Sequence, residues 1–252
     1  MPISVIGILE YSLVEASPRT VPSHLRNPSI VRRVLPQSLA PRDPQTLSTI
    51  TFSSCTKEVF SIMPHLKKVG ISETKEEYNS DGSSECLKNL VNLFELETLK
   101  CSFYRVNREA QNLYSYALPS NLKKLTLIGS FLLWENMAFV AMLPNVKTLK
   151  LKSYAFQEPK WELTTEVFRC LKQLLIDNTI LVHWEATNTD GFPCLEHLVL
   201  RSCKSLEEIL SDVLDCILNR IELHYYSEFA EKSAREYEEQ YGGLDVVIRS
   251  DW

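Results

Sequence analysis

Leu122-Lys-Lys-Leu-Thr-Leu127, Val146-Lys-Thr-Leu-Lys-Leu151, Leu171-Lys-Gln-Leu-Leu-Ile176 and Leu195-Glu-His-Leu-Val-Leu200 repeat one frame. An apolar residue is followed three places on by a second and two places later by a third. With Ile, Val, Phe or Cys admitted, the frame extends toward the N-terminus as Leu47-Ile50-Phe52, Leu66-Val69-Ile71 and Leu96-Leu99-Cys101. Toward the C-terminus it recurs as Leu218-Ile221-Leu223. Successive starts are 19, 30, 26, 24, 25, 24 and 23 residues apart. Leucine is common enough to produce one or two matches by chance, but eight in order at a near-constant period mark a structural repeat.

The frame has a direct physical reading. Its last two apolar residues are two apart, so they point to one side of a short strand. The first enters the same core as the chain bends into that strand. One repeat cannot cover this apolar side, whereas stacked neighbours can, and the strands then form a parallel sheet. Each side chain so buried contributes roughly 1.5–3 kcal/mol. The expected fold class is α/β: a leucine-rich-repeat solenoid, or horseshoe, with a parallel concave sheet and irregular convex connections. Three residues beyond each frame, a small polar side chain is needed to satisfy backbone groups in the descending turn. Cys55, Thr74, Ser130, Thr179 and Cys203 suit that task; Tyr104, Tyr154 and Tyr226 depart from it.

The repeats occupy 45–226. Residues 1–44 form an irregular segment holding seven of the twelve prolines and no clear frame, with Ile3–Leu9 as a short strand or buried stretch rather than a secretion signal. Residues 73–85 form a polar loop that accounts for the longest spacing. Residues 227–252 read as a terminal cap. Ser227 can N-cap a helix to about Gln240, with Phe229, Ala230, Ala234, Tyr237 and Tyr241 on its apolar side. Gly242-Gly243 stop it, and Leu244, Val246 and Ile248 alternate as a closing strand.

A net charge of −5 and a pI near 5.6 give no reason to expect nucleic-acid binding, and no apolar run is long enough for a transmembrane helix. The seven cysteines include no C-x-x-C pair, which favours a reducing, cytoplasmic location, at most peripheral to a membrane. The five histidines are scattered. His197 and His224 read as corresponding outward places in adjacent repeats, but no carboxylate or cysteine completes a metal set in frame. Cys170 and Cys194 each precede the first leucine of their repeat, where stacking is conceivable, but the expectation is two small semi-buried residues. No nucleophile elbow is present. The expectation is therefore a non-enzyme without cofactor or metal. Trp134, Trp161 and Trp184 recur between strands and are expected to pack the convex side.

More specific text carries a family resemblance. Leu118-Pro-Ser-Asn-Leu-Lys-Lys-Leu-Thr-Leu-Ile-Gly-Ser-Phe-Leu-Leu-Trp134 and Phe192-Pro-Cys-Leu-Glu-His-Leu-Val-Leu-Arg-Ser-Cys-Lys-Ser-Leu-Glu-Glu-Ile209 resemble the leucine-rich-repeat region of plant coiled-coil nucleotide-binding immune receptors. Within that family the text is most like the late blight resistance protein-like sequences of the nightshade family. Cys203, Leu206 and Ile209 match the family's descending pattern C-x-x-L-x-x-I, although Leu210 replaces the usual proline. The resemblance is strong over 118–250 and moderate over 45–117. It implies plant defence, disease resistance and the hypersensitive response. It also implies protein partners: a pathogen effector, or the receptor's own nucleotide-binding module held inactive by the early repeats. The phosphate-binding G-x-x-x-x-G-K-[ST] loop does not occur in this sequence, so nucleotide switching is not carried over.

The expected protein-binding residues lie on the concave face: Lys68, Lys100, Lys124, Thr126, Lys150, Lys152, Leu175, Val199, Arg201 and Glu222. Thr51 and Gly70 are expected in the same middle row. The face is expected to grade from lysines through exposed Leu175 and Val199 to an acidic end, because 205–240 carries ten acidic and three basic residues. Lys100, Lys124 and Lys150 are the candidates for docking a nucleotide-binding module. A substrate-recognition adaptor of a ubiquitin ligase is the alternative, weakened by the prolines of 1–44, which do not suit an F-box-like helical segment. A receptor fragment that folds without acting is a third.

Overall fold

The computed structural model describes residues 44–74, 77, 87–103, 118–164, 166–187, 191–209, 217–240 and 242–249. The proline-rich segment (apart from residue 44), most of the polar loop, Tyr104 and Tyr241 lie outside them.

Among the described residues nine strands form one parallel sheet; each of the eight frames contributes one and the closing strand is the ninth. They are β1 (Thr46–Thr51), β2 (Lys68–Ser72), β3 (Thr98–Ser102), β4 (Lys124–Ile128), β5 (Thr148–Lys152), β7 (Gln173–Asp177), β9 (His197–Arg201), β10 (Arg220–His224) and β11 (Asp245–Arg249). Their order in the sheet is their order in sequence. The two missing numbers, β6 (Lys160–Leu163) and β8 (His183–Ala186), pair separately on the connecting side. The frame leucines and their substitutes are buried and form one core from Leu47 to Val246. The fold is therefore the expected α/β leucine-rich-repeat solenoid.

Two backbone ladders lock the register. Before each strand, one carbonyl accepts two successive N–H groups from the next repeat: Lys123 and Lys124 donate to Glu97 O, and Glu196 and His197 to Lys172 O, at 2.8–3.0 Å. After β4, β5, β7, β9 and β10 the chain turns through a left-handed residue, at Gly129, Ser153, Asn178, Ser202 and Tyr225 respectively. Four of these donate to the carbonyl ending the next strand, as in Ser153 N to Asp177 O at 2.8 Å. Only Gly129 is free of the steric cost of that conformation.

The first repeat departs from the frame. Leu47 pairs with Val69 and Ile50 with Ile71, because an extra residue enters β1 between Leu47 and Ile50. The bulge rests on Gly70, where a Cβ would stand 2.1 Å from the Ser48 carbonyl oxygen. Phe52 is thereby pushed out of the strand into a 3-10 turn, yet stays buried, its ring 5.1 Å from that of Phe103.

The descending-turn residues do what their chemistry suggests. Ser130 Oγ donates to Ala155 O at 2.8 Å, Cys55 Sγ to Thr51 O at 3.3 Å, and Cys203 Sγ to Arg201 O at 3.3 Å. Burial pushes the Cys203 thiol up to about 12, with Asp177 adding to the effect, so it is an uncharged structural donor. Thr179 Oγ1 accepts from Leu181 N. Tyr154 is instead partly exposed and stacks with Phe131.

On the connecting side, Trp161 stands opposite Trp184 in the β6–β8 register. Its ring lies 4.5 Å from Trp134 and 5.0 Å from Trp184, within 7° of parallel to both. Phe168 and Phe192 stack on each other and meet Trp161 edge-on. All five rings are buried. The three tryptophans thus pack the convex side, as their spacing predicts.

At the C-terminal end lies helix α3 (Glu228–Gln240); the short helices α1 (Lys57–Ser61) and α2 (Met137–Ala141) lie earlier in the chain. Ser227 Oγ accepts from Ala230 N at 3.0 Å, the predicted N-cap. Ala230 and Ala234 enter the core and Tyr237 packs against it. Phe229 does not: it is 65% exposed, since Ser233 takes the buried face beside Ala230 and Ala234. β11 then closes the sheet with Val246 buried and Leu244 and Ile248 packed on the core.

Candidate protein-binding face

Because the strands pair in register, the residues between core leucines form three rows across the sheet's open face, the one without connections. The first row reads Lys68, Thr98, Lys124, Thr148, Gln173, His197, Arg220, Asp245 from β2 to β11. The middle row reads Gly70, Lys100, Thr126, Lys150, Leu175, Val199, Glu222, Val247. The third reads Ser72, Ser102, Ile128, Lys152, Asp177, Arg201, His224, Arg249. All ten residues expected on this face lie in these rows. Thr51 does not share the middle row: the β1 bulge sets it opposite Ser72, where its hydroxyl meets those of Ser53 and Ser54.

From β2 to β5 lysine alternates with threonine. Lys68, Thr98, Lys124 and Thr148 follow one another in the first row, and Lys100, Thr126 and Lys150 in the middle one. Neighbouring lysines within a row therefore stand two strand spacings apart, roughly 10 Å. That separation limits mutual repulsion and leaves hydroxyl donors between the cations. Lys68, Lys100, Lys124 and Lys150 form no ion pair among the described residues. Lysines just outside the face behave differently. Lys123 holds Glu97 at 2.7 Å and Lys172 holds Glu196 at 2.5 Å. The hydrogen bond from Lys123 lowers the Glu97 pKa, and that to Glu196 raises the Lys172 pKa.

The half from β7 to β10 differs from expectation in two respects. Leu175 and Val199 point away from the core, yet are only 5% and 2% exposed, so neighbouring side chains already cover them. They are a floor and not an exposed apolar patch. Most of the acidity of 205–240 among the described residues also stands off this face. Glu228, Glu231, Glu236, Glu238 and Glu239 belong to α3, which packs on the connecting side through Ala230 and Ala234.

Glu222 is the centre of this half. Arg220 Nε lies 2.9 Å and His197 Nε2 3.2 Å from Oε1, with His224 Nε2 3.4 Å from Oε2. Burial pushes the Glu222 carboxyl up, but the hydrogen bonds from His224 and Arg220 and the nearby positive charges outweigh it. Its pKa settles below the ordinary value. His197 and His224 are not corresponding residues: His197 pairs with Arg220 and His224 with Arg201. Each reaches Glu222 from a different row. Arg201 lies between Asp177 and His224 across the sheet, its Nε buried without a hydrogen-bond acceptor among the described residues, while Asp177 faces Lys152 at 3.9 Å. Among the described residues no group of three or more His, Cys, Asp or Glu could hold a metal ion, and no helix is long and apolar enough to cross a membrane.

With this geometry in place, likeness to known proteins is informative. The chain is 33% identical over 203 residues to a late blight resistance protein homolog of Solanum demissum, covering 78% of this chain and 25% of that protein. It is 35% identical over 148 residues to a second such homolog of the same plant, covering 58% of this chain and 13% of that protein. For a third the identity is 35% over 147 residues, 57% of this chain and 12% of that protein. The chain thus spans a quarter or less of the length of these relatives. No family model matches it.

Proposed function

Taking as premise that this chain is a homologue of the late blight resistance proteins over its repeats, we propose that it is a non-catalytic, protein-binding leucine-rich-repeat module of a plant disease-resistance protein. Its early open face docks an acidic protein surface. The partner is the nucleotide-binding module of such a receptor, held in an inactive arrangement, or a pathogen effector. The working compartment is the cytoplasm.

The observation that carries this reading is the set of open-face lysines without acidic partners among the described residues. A solenoid gains nothing in stability from unpaired like charges, whereas a surface meeting a negative partner gains association rate and register. Threonines between them supply hydrogen bonds at the rim of such a contact. The late half, already satisfied by its own residues, supplies shape and a fixed boundary.

The test is co-precipitation with the nucleotide-binding portion of a late blight resistance protein homolog, supplied as a separate chain. The complex is expected to form at low salt and weaken as salt rises. Reversing Lys100, Lys124 and Lys150 to glutamate should weaken it at every salt concentration. Unchanged binding at low salt would refute the docking role of these lysines.

A further inference from the structure

Cys170 and Cys194 end two consecutive turns of the same construction. In each, the N–H of the following leucine returns to a phenylalanine carbonyl: Leu171 N to Phe168 O and Leu195 N to Phe192 O, both 3.2 Å. The turns are stacked on both sides of the cysteines. Before them, the Phe168 and Phe192 rings lie parallel at 5.0 Å, and Phe168 N donates to Gly191 O at 2.8 Å. After them, Glu196 N donates to Lys172 O at 2.9 Å and the Lys172 ammonium meets the Glu196 carboxylate at 2.5 Å. Positions 168 and 192, then 172 and 196, are thus held at the spacing of adjacent strands, about 4.8 Å. Positions 170 and 194 lie between these contacts. The Cα separation of most disulfides is about 4.4–6.8 Å, which the same spacing satisfies. Both thiols are free and partly exposed, whereas Cys55, Cys101 and Cys203 are buried.

We infer that Cys170 and Cys194 are an oxidisable dithiol, a modification site at which a peroxide closes a disulfide between the sixth and seventh repeats. Cys194, which has the Lys172 ammonium within electrostatic reach, is placed as the first sulfur to react. The thiolate sulfur attacks one peroxide oxygen and the O–O bond breaks, giving a sulfenic acid and hydroxide, which takes up a proton to become water. The Cys170 thiolate then attacks the sulfenic sulfur, forming the S–S bond and expelling the second oxygen as water. Two thiols are oxidised and one hydrogen peroxide is reduced to two waters. The product ties two neighbouring repeats at the strand-entry edge, beside the floor made by Leu175 and Val199. In a stack held by contacts between neighbours, such a tie resists opening at that junction.

The test is treatment of the folded, reduced chain with hydrogen peroxide, followed by trypsin digestion and mass spectrometry without reduction. Cleavage after Arg169, Lys172 and Arg201 leaves the two cysteines on separate peptides, 170–172 and 173–201. The expected product is these two peptides linked, two mass units lighter than their sum, and absent after reduction. The oxidised protein should also melt at a higher temperature than the reduced one. Cys170→Ser should leave the reduced melting temperature near that of wild type and show a trapped sulfenic acid at Cys194 with a dimedone probe. Over-oxidation of either cysteine without the linked peptides, linkage of either to another cysteine, or unmodified thiols after treatment would overturn the proposal. Because wild-type mapping alone decides this, failure of the variant to fold does not remove the test.

Discussion

The two halves of the open face are built on the same strands and differ in how their charges are answered. From β2 to β5, four of the five open-face lysines have threonines between them and no acidic partner among the described residues, and Lys152 faces Asp177 across the boundary. From β7 to β10, Glu222 gathers an arginine and two histidines, and two apolar residues beside it are already covered. The connecting side does not follow this division, since the tryptophan stack runs from the β4–β5 connection through β6 and β8 and so backs both halves. The same repeat can thus be used for self-satisfaction or for an unmet surface, depending on the few residues that the core does not dictate.

The largest expected effect lies where the connecting side joins the two halves, in the tryptophan stack. Trp161→Ala removes the middle ring of the stack and should cost about 3–5 kcal/mol in denaturant unfolding; a cost below about 1 kcal/mol would show that the rings do not hold the repeats together. Next is the floor. Leu175→Ala should cost about 1.5–3 kcal/mol, whereas Thr126→Ala in the same row of the early half should stay within about 0.5 kcal/mol. Equal costs would erase the contrast between the halves. Glu222→Gln should cost about 1 kcal/mol near neutral pH. Its folded pKa lies below the ordinary glutamate value of 4.5, so the stability it supplies is present above that value and is lost as pH falls through the folded pKa. The variant should therefore show a shallower acid loss than wild type in a pH series of thermal melts. The smallest stability effect is expected for single charge reversals at Lys100, Lys124 and Lys150, within about 0.5 kcal/mol each, because no folded-state ion pair among the described residues is lost.

The core was legible because burial imposes a period. Leucine, isoleucine and valine at fixed intervals announce the strands, and the spacing of Trp134, Trp161 and Trp184 announces their place on the convex side, though not the stacking of their rings. The N-cap at Ser227 and the alternation of Leu244, Val246 and Ile248 were equally local signals. The first repeat was misread because a frame cannot display a bulge; Gly70 and the unusually short 19-residue spacing were the available clues. The left-handed steps at Ser153, Asn178, Ser202 and Tyr225 carried no uniform residue type to find. On the open face, position was legible and environment was not. Leu175 and Val199 fall where expected, but their covering depends on side chains contributed by neighbouring strands. Gln173 and Asp177 share that later half and were not singled out, although their places in the frame pointed there. The acidity of 205–240 proved misleading because α3 carries most of it to the other side of the sheet.

The early lysines, and not the later half, are proposed to receive the acidic protein partner. The most direct measurement is the dissociation constant for the nucleotide-binding portion of a late blight resistance protein homolog, compared among wild type, the triple reversal at Lys100, Lys124 and Lys150, and Asp245→Lys at the far end of the first row. At least a tenfold loss is predicted for the triple reversal, about 1.4 kcal/mol, with wild-type affinity for Asp245→Lys. Equal affinities for all three chains at low salt would contradict that assignment.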